Sequence, residues 1–166
     1  SLSEHNGKLN ATVFEAPEPK PQARQHLYDY SFLFSVTLKD YLLETGDRET
    51  AEDLWPVVKK QLESAYKYLQ DDGMMNYEQA SREWWIFFDW KDGLHREVAF
   101  HGVTIFAFRE TYELAQLLNK DNEVSQLPGL IKKMKKAVRK HYYNPKTGLF
   151  TGILNDQVSY ASQIWM

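Results

Sequence analysis

Two segments of the chain, residues 27–43 and 98–118, are apolar on nearly every side of the helix they predict. Each is followed by a segment that is apolar on one side only. In the first, Tyr28, Tyr30, Phe32, Leu33, Phe34, Val36, Leu38, Tyr41 and Leu42 leave no broad polar face. The second opens the same way, with Val98, Ala99, Phe100, Val103, Ile105, Phe106 and Phe108. A helix apolar all round is a buried helix. The followers differ: Val58, Leu62, Ala65 and Leu69 make one stripe at steps of four and three, with Lys59, Lys60, Glu63 and Lys67 turned away. Leu130, Met134, Ala137 or Val138, and His141 or Tyr142 make another. Buried helices alternating with amphipathic ones, joined antiparallel, predict two layers, an inner and an outer ring. The expected fold class is all-α, built from antiparallel helical hairpins.

Punctuation supports the alternation. Thr45-Gly46-Asp47 stops the first buried helix, and Asn119-Lys120-Asp121-Asn122 the second. Pro56 falls at a kink or in the first turn of a new segment. The two units also align as a weak internal repeat. Trp55-Pro56-Val57-Val58-Lys59-Lys60 answers Leu127-Pro128-Gly129-Leu130-Ile131-Lys132-Lys133, and Asp72-Gly73-Met74-Met75 answers Thr147-Gly148-Leu149-Phe150. Inner-to-outer connections are short, whereas the outer-to-inner ones, residues 71–93 and 144–156, are long. The Pro-rich stretch Ala16-Pro17-Glu18-Pro19-Lys20-Pro21 also feeds an inner helix. Antiparallel packing collects these long loops at one end of the body, where binding groups usually sit.

Bulk properties remove several classes of function. With 166 residues, 43% of them hydrophobic, the chain can bury one core. A net charge of −3 offers no global field for nucleic acid. The lysines 132, 133, 135, 136 and 140, with Arg139, follow the helix period and read as a solvated face. Cysteine is absent, which excludes disulfides and thiolate metal sites and leaves the compartment open. The polar opening Ser1–Asn6 carries no leader pattern. The longest apolar run, Trp84–Phe88, is too short to cross a bilayer, so no membrane partner is expected. His26, His95, His101 and His141 lack paired ligand spacing, and there is no Gly-rich phosphate loop, so neither a metal nor a cofactor is expected.

The run Trp84-Trp85-Ile86-Phe87-Phe88-Asp89-Trp90 packs five aromatic rings and one carboxylate into seven positions. It lies in the long loop before the second inner helix, as a short strand expected to pair with Gly73–Asn76 in a small β-hairpin around residues 73–90. Alternate strand residues point opposite ways, so the rings cannot all line a pocket. Phe87 and one of the two adjacent tryptophans are expected in the core. Asp89 either caps a turn, pairs with Lys91 or Arg96, or faces a ligand. Tyr28 and Asp29, Arg96 and Glu97, His101, and Asp156 with Gln157 share the loop-rich end. Tyrosine, tryptophan, carboxylate and amide together suit a sugar: rings stack on the C–H face of a pyranose, and a carboxylate accepts two hydroxyl hydrogen bonds. The candidate substrate-binding residues are Asp89, Trp90, Trp85, Tyr28 and Asp29.

The succession Leu27-Tyr28-Asp29-Tyr30-Ser31-Phe32-Leu33-Phe34, Asp40-Tyr41, Thr45-Gly46-Asp47, Leu54-Trp55-Pro56, Asp72-Gly73, Phe88-Asp89-Trp90 and Gln157-Val158-Ser159-Tyr160-Ala161-Ser162-Gln163 resembles the catalytic domain of bacterial α-L-rhamnosidases. The resemblance runs from about Val13 to the end. It implies a six-hairpin α/α toroid, with residues 1–26 as an extended lead-in and 27–166 as about two and a half hairpins. It also implies an inverting glycoside hydrolase, whose two carboxyls stand roughly 6.5–9.5 Å apart to admit a water. Neither the motif of the acid nor that of the base is present here, so the catalytic residues are expected elsewhere. Glu78, Glu83 and Glu97 are not assigned. What carries over is Asp89-Trp90 and the flanking rings, as part of the sugar subsite.

Six hairpins of this repeat length need on the order of 400 residues. Residue 1 is not methionine, and Gln163-Ile164-Trp165-Met166 reads as a rising helix, so a fragment is expected. Self-association or pairing with the remaining toroid would then cover exposed inner-helix faces. Two other readings stand beside this one. One is a non-catalytic helical-hairpin module that binds carbohydrate or a protein partner. The other is an α/α toroid glycosidase for another sugar.

Overall fold

The structure is a computed structural model that describes residues 7–21, 26–153 and 156–166. The polar opening 1–6 and part of the lead-in, 22–25, lie outside the described residues. The remainder of the lead-in carries a two-residue antiparallel ladder, β1 (Val13–Phe14) against β2 (Lys20–Pro21). Six helices follow: α1 (Tyr28–Thr45), α2 (Arg48–Tyr66), α3 (Tyr77–Glu83), α4 (Glu97–Leu117), α5 (Leu127–Tyr142) and α6 (Tyr160–Trp165). A second small ladder joins β3 (Tyr143–Asn144) to β4 (Leu149–Phe150) in the loop before α6.

The layers are those the periodicity predicts. α4 packs against α1 on one side and α6 on the other, while α2 and α5 lie outside, against α1 and α4 respectively. α4 is the central helix, with Phe100, Val103, Phe108 and Leu114 fully buried. The stripes of α2 and α5 face inward through Val58, Leu62 and Ala65 and through Met134, Ala137 and Val138. α1 buries Phe32 and Leu38 but leaves Tyr30 and Tyr41 exposed along its other flank. Among the described residues, no helix is long and apolar enough to cross a membrane.

Local chemistry explains the turns. Gly46 takes the left-handed conformation (φ 71°) that closes α1, and its N–H donates to the Leu42 carbonyl at 2.9 Å. Asp47 then caps α2, accepting from the Thr50 N–H at 3.1 Å and from the Tyr41 hydroxyl at 2.6 Å. Arg48 reaches across to the Leu117 and Leu118 carbonyls at 2.9 and 2.6 Å, which satisfies the open end of α4. Pro56 lies inside α2 without ending it. Deeper, Lys39 of α1 pairs with Glu110 and Glu113 of α4, and Arg109 joins Glu110 at 2.7 Å.

The small hairpin expected around residues 73–90 is not formed. Gly73–Asn76 instead turns back on the segment just after α2 through an isolated bridge, Leu69 with Met75, and α3 fills the middle of the loop, capped by Asn76. The reason is local: Tyr77-Glu78-Gln79-Ala80-Ser81-Arg82-Glu83 carries good helix formers behind an Asn cap, and α3 buries Ala80.

Gly102 marks the crossing of α4 and α6. A Cβ there would stand 2.6 Å from the Trp165 carbonyl oxygen. Gly102→Ala is therefore expected to destabilise the fold by about 1–3 kcal/mol despite alanine's better helix propensity, because backbone must move. The check is a fall in denaturation midpoint together with an altered near-UV signal from Trp165, which packs on Phe88 and Phe106.

Candidate sugar-binding edge

Residues 84–90 form neither strand nor helix, apart from one isolated parallel bridge between Leu27 and Trp85. Trp85 donates its N–H to the His26 carbonyl at 3.2 Å and accepts from the Tyr28 N–H at 3.1 Å. This tie to the entrance of α1 sets which rings turn inward. Trp84 and Ile86 are buried, at 4% and 5% exposure. The Trp84 indole N–H donates to the Tyr68 hydroxyl at 2.9 Å, and that hydroxyl donates to Glu83 at 2.8 Å. Trp85 and Phe87 turn outward.

The outward rings meet Trp90. Phe87 and Trp90 stand 4.7 Å apart between centroids, Trp85 and Phe87 5.6 Å, and Trp85 and Trp90 6.1 Å, all tilted or edge-on. Trp90 is 78% exposed and Trp85 44%, so large ring faces stay open to solvent. Asp89 is exposed, its backbone carbonyl accepting from Arg96 at 3.3 Å. Beside it opens a cleft of about 340 Å³, lined by Asp89, Lys91 and Leu94 and by residues 157–161 at the entrance of α6. Gln157, in the lining of this cleft, accepts from the His95 N–H at 2.8 Å and donates to the Gly93 carbonyl at 3.0 Å. Ser159 and Ser162 form a capping box that starts α6 there.

The predicted residues divide. Trp85, Asp89 and Trp90 share one exposed edge at the loop-rich end. Phe87 belongs with them and not in the core where the sequence reading placed it; the Leu27 bridge sets the parity, so Trp84 and Ile86 take the interior. Tyr28 lies beneath. It is fully buried, its hydroxyl 3.0 Å from the Thr104 hydroxyl, and burial pushes its ionisation far above the ordinary tyrosine range. It is a core residue with no face toward a ligand. Asp29 is also beneath, at 7% exposure, and desolvation pushes its carboxyl up to about 6.

His101 is likewise inside. Its Nδ1–H donates to the Glu97 carbonyl at 2.8 Å and its Nε2 accepts from the Met75 N–H at 2.9 Å, tying the long loop to α4. Sequence reasoning missed Phe87 as an outward ring and, although it placed Gln157 at this end, missed its clamp on the His95 and Gly93 backbone. A ring at alternate spacing from Trp85 was the available signal for the first; nothing local signals the second. Among the described residues, no group of three or more His, Cys, Asp or Glu could hold a metal ion.

An arc of inner and outer helices, with an aromatic and carboxylate edge at its loop-rich end, is the architecture of an α/α toroid enzyme. Solved structures narrow the class. The chain superposes on a rhamnosidase from Klebsiella oxytoca with rhamnose bound, at a TM-score of 0.87 and 31% identity, over 98% of this chain and 31% of that one. It also superposes on a GH78-family rhamnosidase of Bacillus sp. GL1, at a TM-score of 0.68 and 15% identity, over 87% of this chain and 15% of that one. The second likeness concerns fold alone. The chain therefore spans about a third of the length of the Klebsiella protein. No protein-family model and no curated protein sequence matches it. The resemblance read from the motifs holds in three dimensions: the structural neighbours are rhamnosidases, and the chain is built as a helical segment of such a domain.

Proposed function

We propose that the chain is part of a glycoside hydrolase that removes terminal α-L-rhamnosyl groups with inversion, and that it supplies one edge of the sugar site. The observation that carries this reading is the exposed cluster of Trp85, Phe87 and Trp90 with Asp89, in a chain that follows a rhamnosidase over 98% of its length. Trp90 offers a ring face to the C–H face of a pyranose, and Asp89 can accept two hydroxyl hydrogen bonds. The neighbouring cleft gives the sugar or its aglycone room. The acid and base are assigned to parts of the toroid outside these residues. The exposed flank of α1, with Tyr30 and Tyr41, supports a further helix of the ring seated there.

The test is hydrolysis of an aryl α-L-rhamnoside by the intact protein, against a panel of aryl glucosides and uronides. Failure to bind any sugar or cleave any member would sink the reading; binding without cleavage would leave a carbohydrate-binding module. Trp90→Ala is expected to weaken rhamnoside binding about tenfold and Asp89→Asn by roughly ten- to a hundredfold. Neither should move the unfolding midpoint appreciably, since both side chains are exposed.

A further inference from the structure

We infer that Gln157, in the loop before α6, is a positioning residue for the candidate sugar edge: its side-chain amide clamps the backbone on both sides of Leu94 and so fixes the segment that presents Asp89. The inference rests on that edge being the sugar site.

Residues 89–96 run from the ring cluster to α4 outside any helix or ladder. Their order comes from turns. The Leu94 N–H donates to the Lys91 carbonyl at 3.3 Å, Gly93 takes a left-handed φ of 71°, and Arg96 donates to the Asp89 carbonyl at 3.3 Å. These contacts close the segment on itself. The Gln157 amide ties it to the next long loop. It accepts from the His95 N–H at 2.8 Å and donates to the Gly93 carbonyl at 3.0 Å, so one side chain brackets Leu94 as a residue of a parallel strand would. Leu94 and Asp89 line the same cleft as Gln157.

The clamp itself stands on a fixed base. The Gln157 carbonyl accepts from the Gly152 N–H at 3.1 Å, and two residues on Ser159 opens the capping box of α6. At the far end of Gln157-Val158-Ser159-Tyr160-Ala161-Ser162-Gln163 a second amide repeats the arrangement. Gln163 accepts from the Phe150 N–H at 3.0 Å and donates to the Phe150 carbonyl at 2.7 Å. Both positions need a donor and an acceptor on one planar group, which glutamine has and an ionised glutamate lacks. The two glutamines thus divide the work of fastening: Gln163 ties α6 to β4, and Gln157 ties its entrance to the Asp89 segment. Both amide atoms of Gln157 are engaged by backbone, so residue 157 acts on a ligand through that segment.

Amide protection in the intact protein, read beside L-rhamnose affinity, tests this. Gln157→Leu removes both bonds; protection at Leu94 and His95 is expected to fall about tenfold or more, and affinity about three- to tenfold. Gln157→Glu keeps the shape and makes the donor depend on pH. At about pH 7.5 it should behave as Gln157→Leu does. At about pH 4.5 a protonated carboxyl can again donate to the Gly93 carbonyl, and both readouts should return at least halfway to the parent at that pH. Gln163→Leu is the structural control: protection falls at Phe150, with affinity kept within about twofold. Unchanged protection at Leu94 and His95 in Gln157→Leu overturns the proposal. So does lost protection with unchanged affinity, or an affinity loss in Gln163→Leu equal to that in Gln157→Leu. A Gln157→Glu deficit that is the same at both pH values overturns it as well. If Gln157→Leu loses its far-UV helix signal, Gln157→Glu carries both readouts. Trp90→Ala separates the two readings: if it weakens rhamnose binding and Gln157→Leu does not, the edge stands and the clamp's role falls; if neither weakens it, the edge reading falls and the role with it.

Discussion

Between pH 7 and 4.5 the native protein is expected to hold a nearly level stability, and replacing either of two buried groups is expected to tilt it, in opposite directions. His101 is buried on α4, and its pKa is lowered to about 4 from an ordinary 6.5, chiefly by desolvation. The Glu97 and Met75 backbone contacts and Asp72 oppose that shift, His141 assists it, and the Tyr142 hydroxyl lies beside the ring. The fold therefore prefers the neutral imidazole. Above pH 6.5 both folded and unfolded forms are neutral and there is no penalty. As pH falls below 6.5 the unfolded chain takes up the proton first, and stability is lost by about 2–3 kcal/mol near pH 4.5.

Asp29 runs the other way. Its folded pKa, about 6, exceeds its ordinary 3.8, so its favourable protonated state is fully present below pH 3.8 and lost as pH rises through 6. Acidification from pH 7 to 4.5 thus restores about 2 kcal/mol. The two effects nearly cancel. His101→Gln removes the first and should leave a protein whose urea midpoint rises on acidification. Asp29→Asn removes the second, is more stable than the parent at pH 7 by up to about 3 kcal/mol, and becomes steeply acid-labile. The carboxyls of Asp47, Glu110 and Glu123 are held low by their partners, so their losses fall toward the acid end of this window and below. Parallel pH slopes in the parent and both variants would refute the assignment.

Trp55→Ala is expected to cost about 3–5 kcal/mol and to abolish a cooperative transition in any already weakened background. Trp55 is 2% exposed on α2, and its indole N–H donates to Glu123 at 3.1 Å, in the short 3₁₀ turn Asp121–Val124 that links α4 to α5. Lys59 holds the same carboxylate at 2.5 Å. Truncation leaves a cavity where the outer helix meets that turn. Trp55→Phe keeps most of the buried ring and loses the hydrogen bond, so its cost should be nearer 1–2 kcal/mol. Equal losses in the two variants, measured by urea denaturation, would show that the indole N–H and not the ring area carries the effect.

Much of the fold was legible because burial writes itself into periodicity. The all-round apolar run from Tyr28 and the stripe through Val58, Leu62 and Ala65 can each satisfy solvent in only one way, and both layers followed. Gly46 and Asp47 marked their turn for an equally local reason, a left-handed closing residue followed by a side-chain cap. The candidate edge was legible in type: Asp89, Trp90 and Trp85 sit together. Its lower members were not, since Tyr28 and Asp29 are read from sequence only as polar groups at a helix entrance, and exposure is a property of what packs above them.

By itself, the order of residues determined the alternation of inner and outer helices, their stops, and the gathering of long loops at one end. Those depend on contacts within a few helical turns and on which face must leave water. Only the tertiary structure decided which rings of Trp84–Trp90 face out. Trp84 and Trp85 are the same residue type one step apart, and alternation along a chain has two equivalent phases. A single backbone bridge from Leu27, far away in sequence, selects the phase that buries Trp84 and Ile86 and leaves Trp85, Phe87 and Trp90 facing outward.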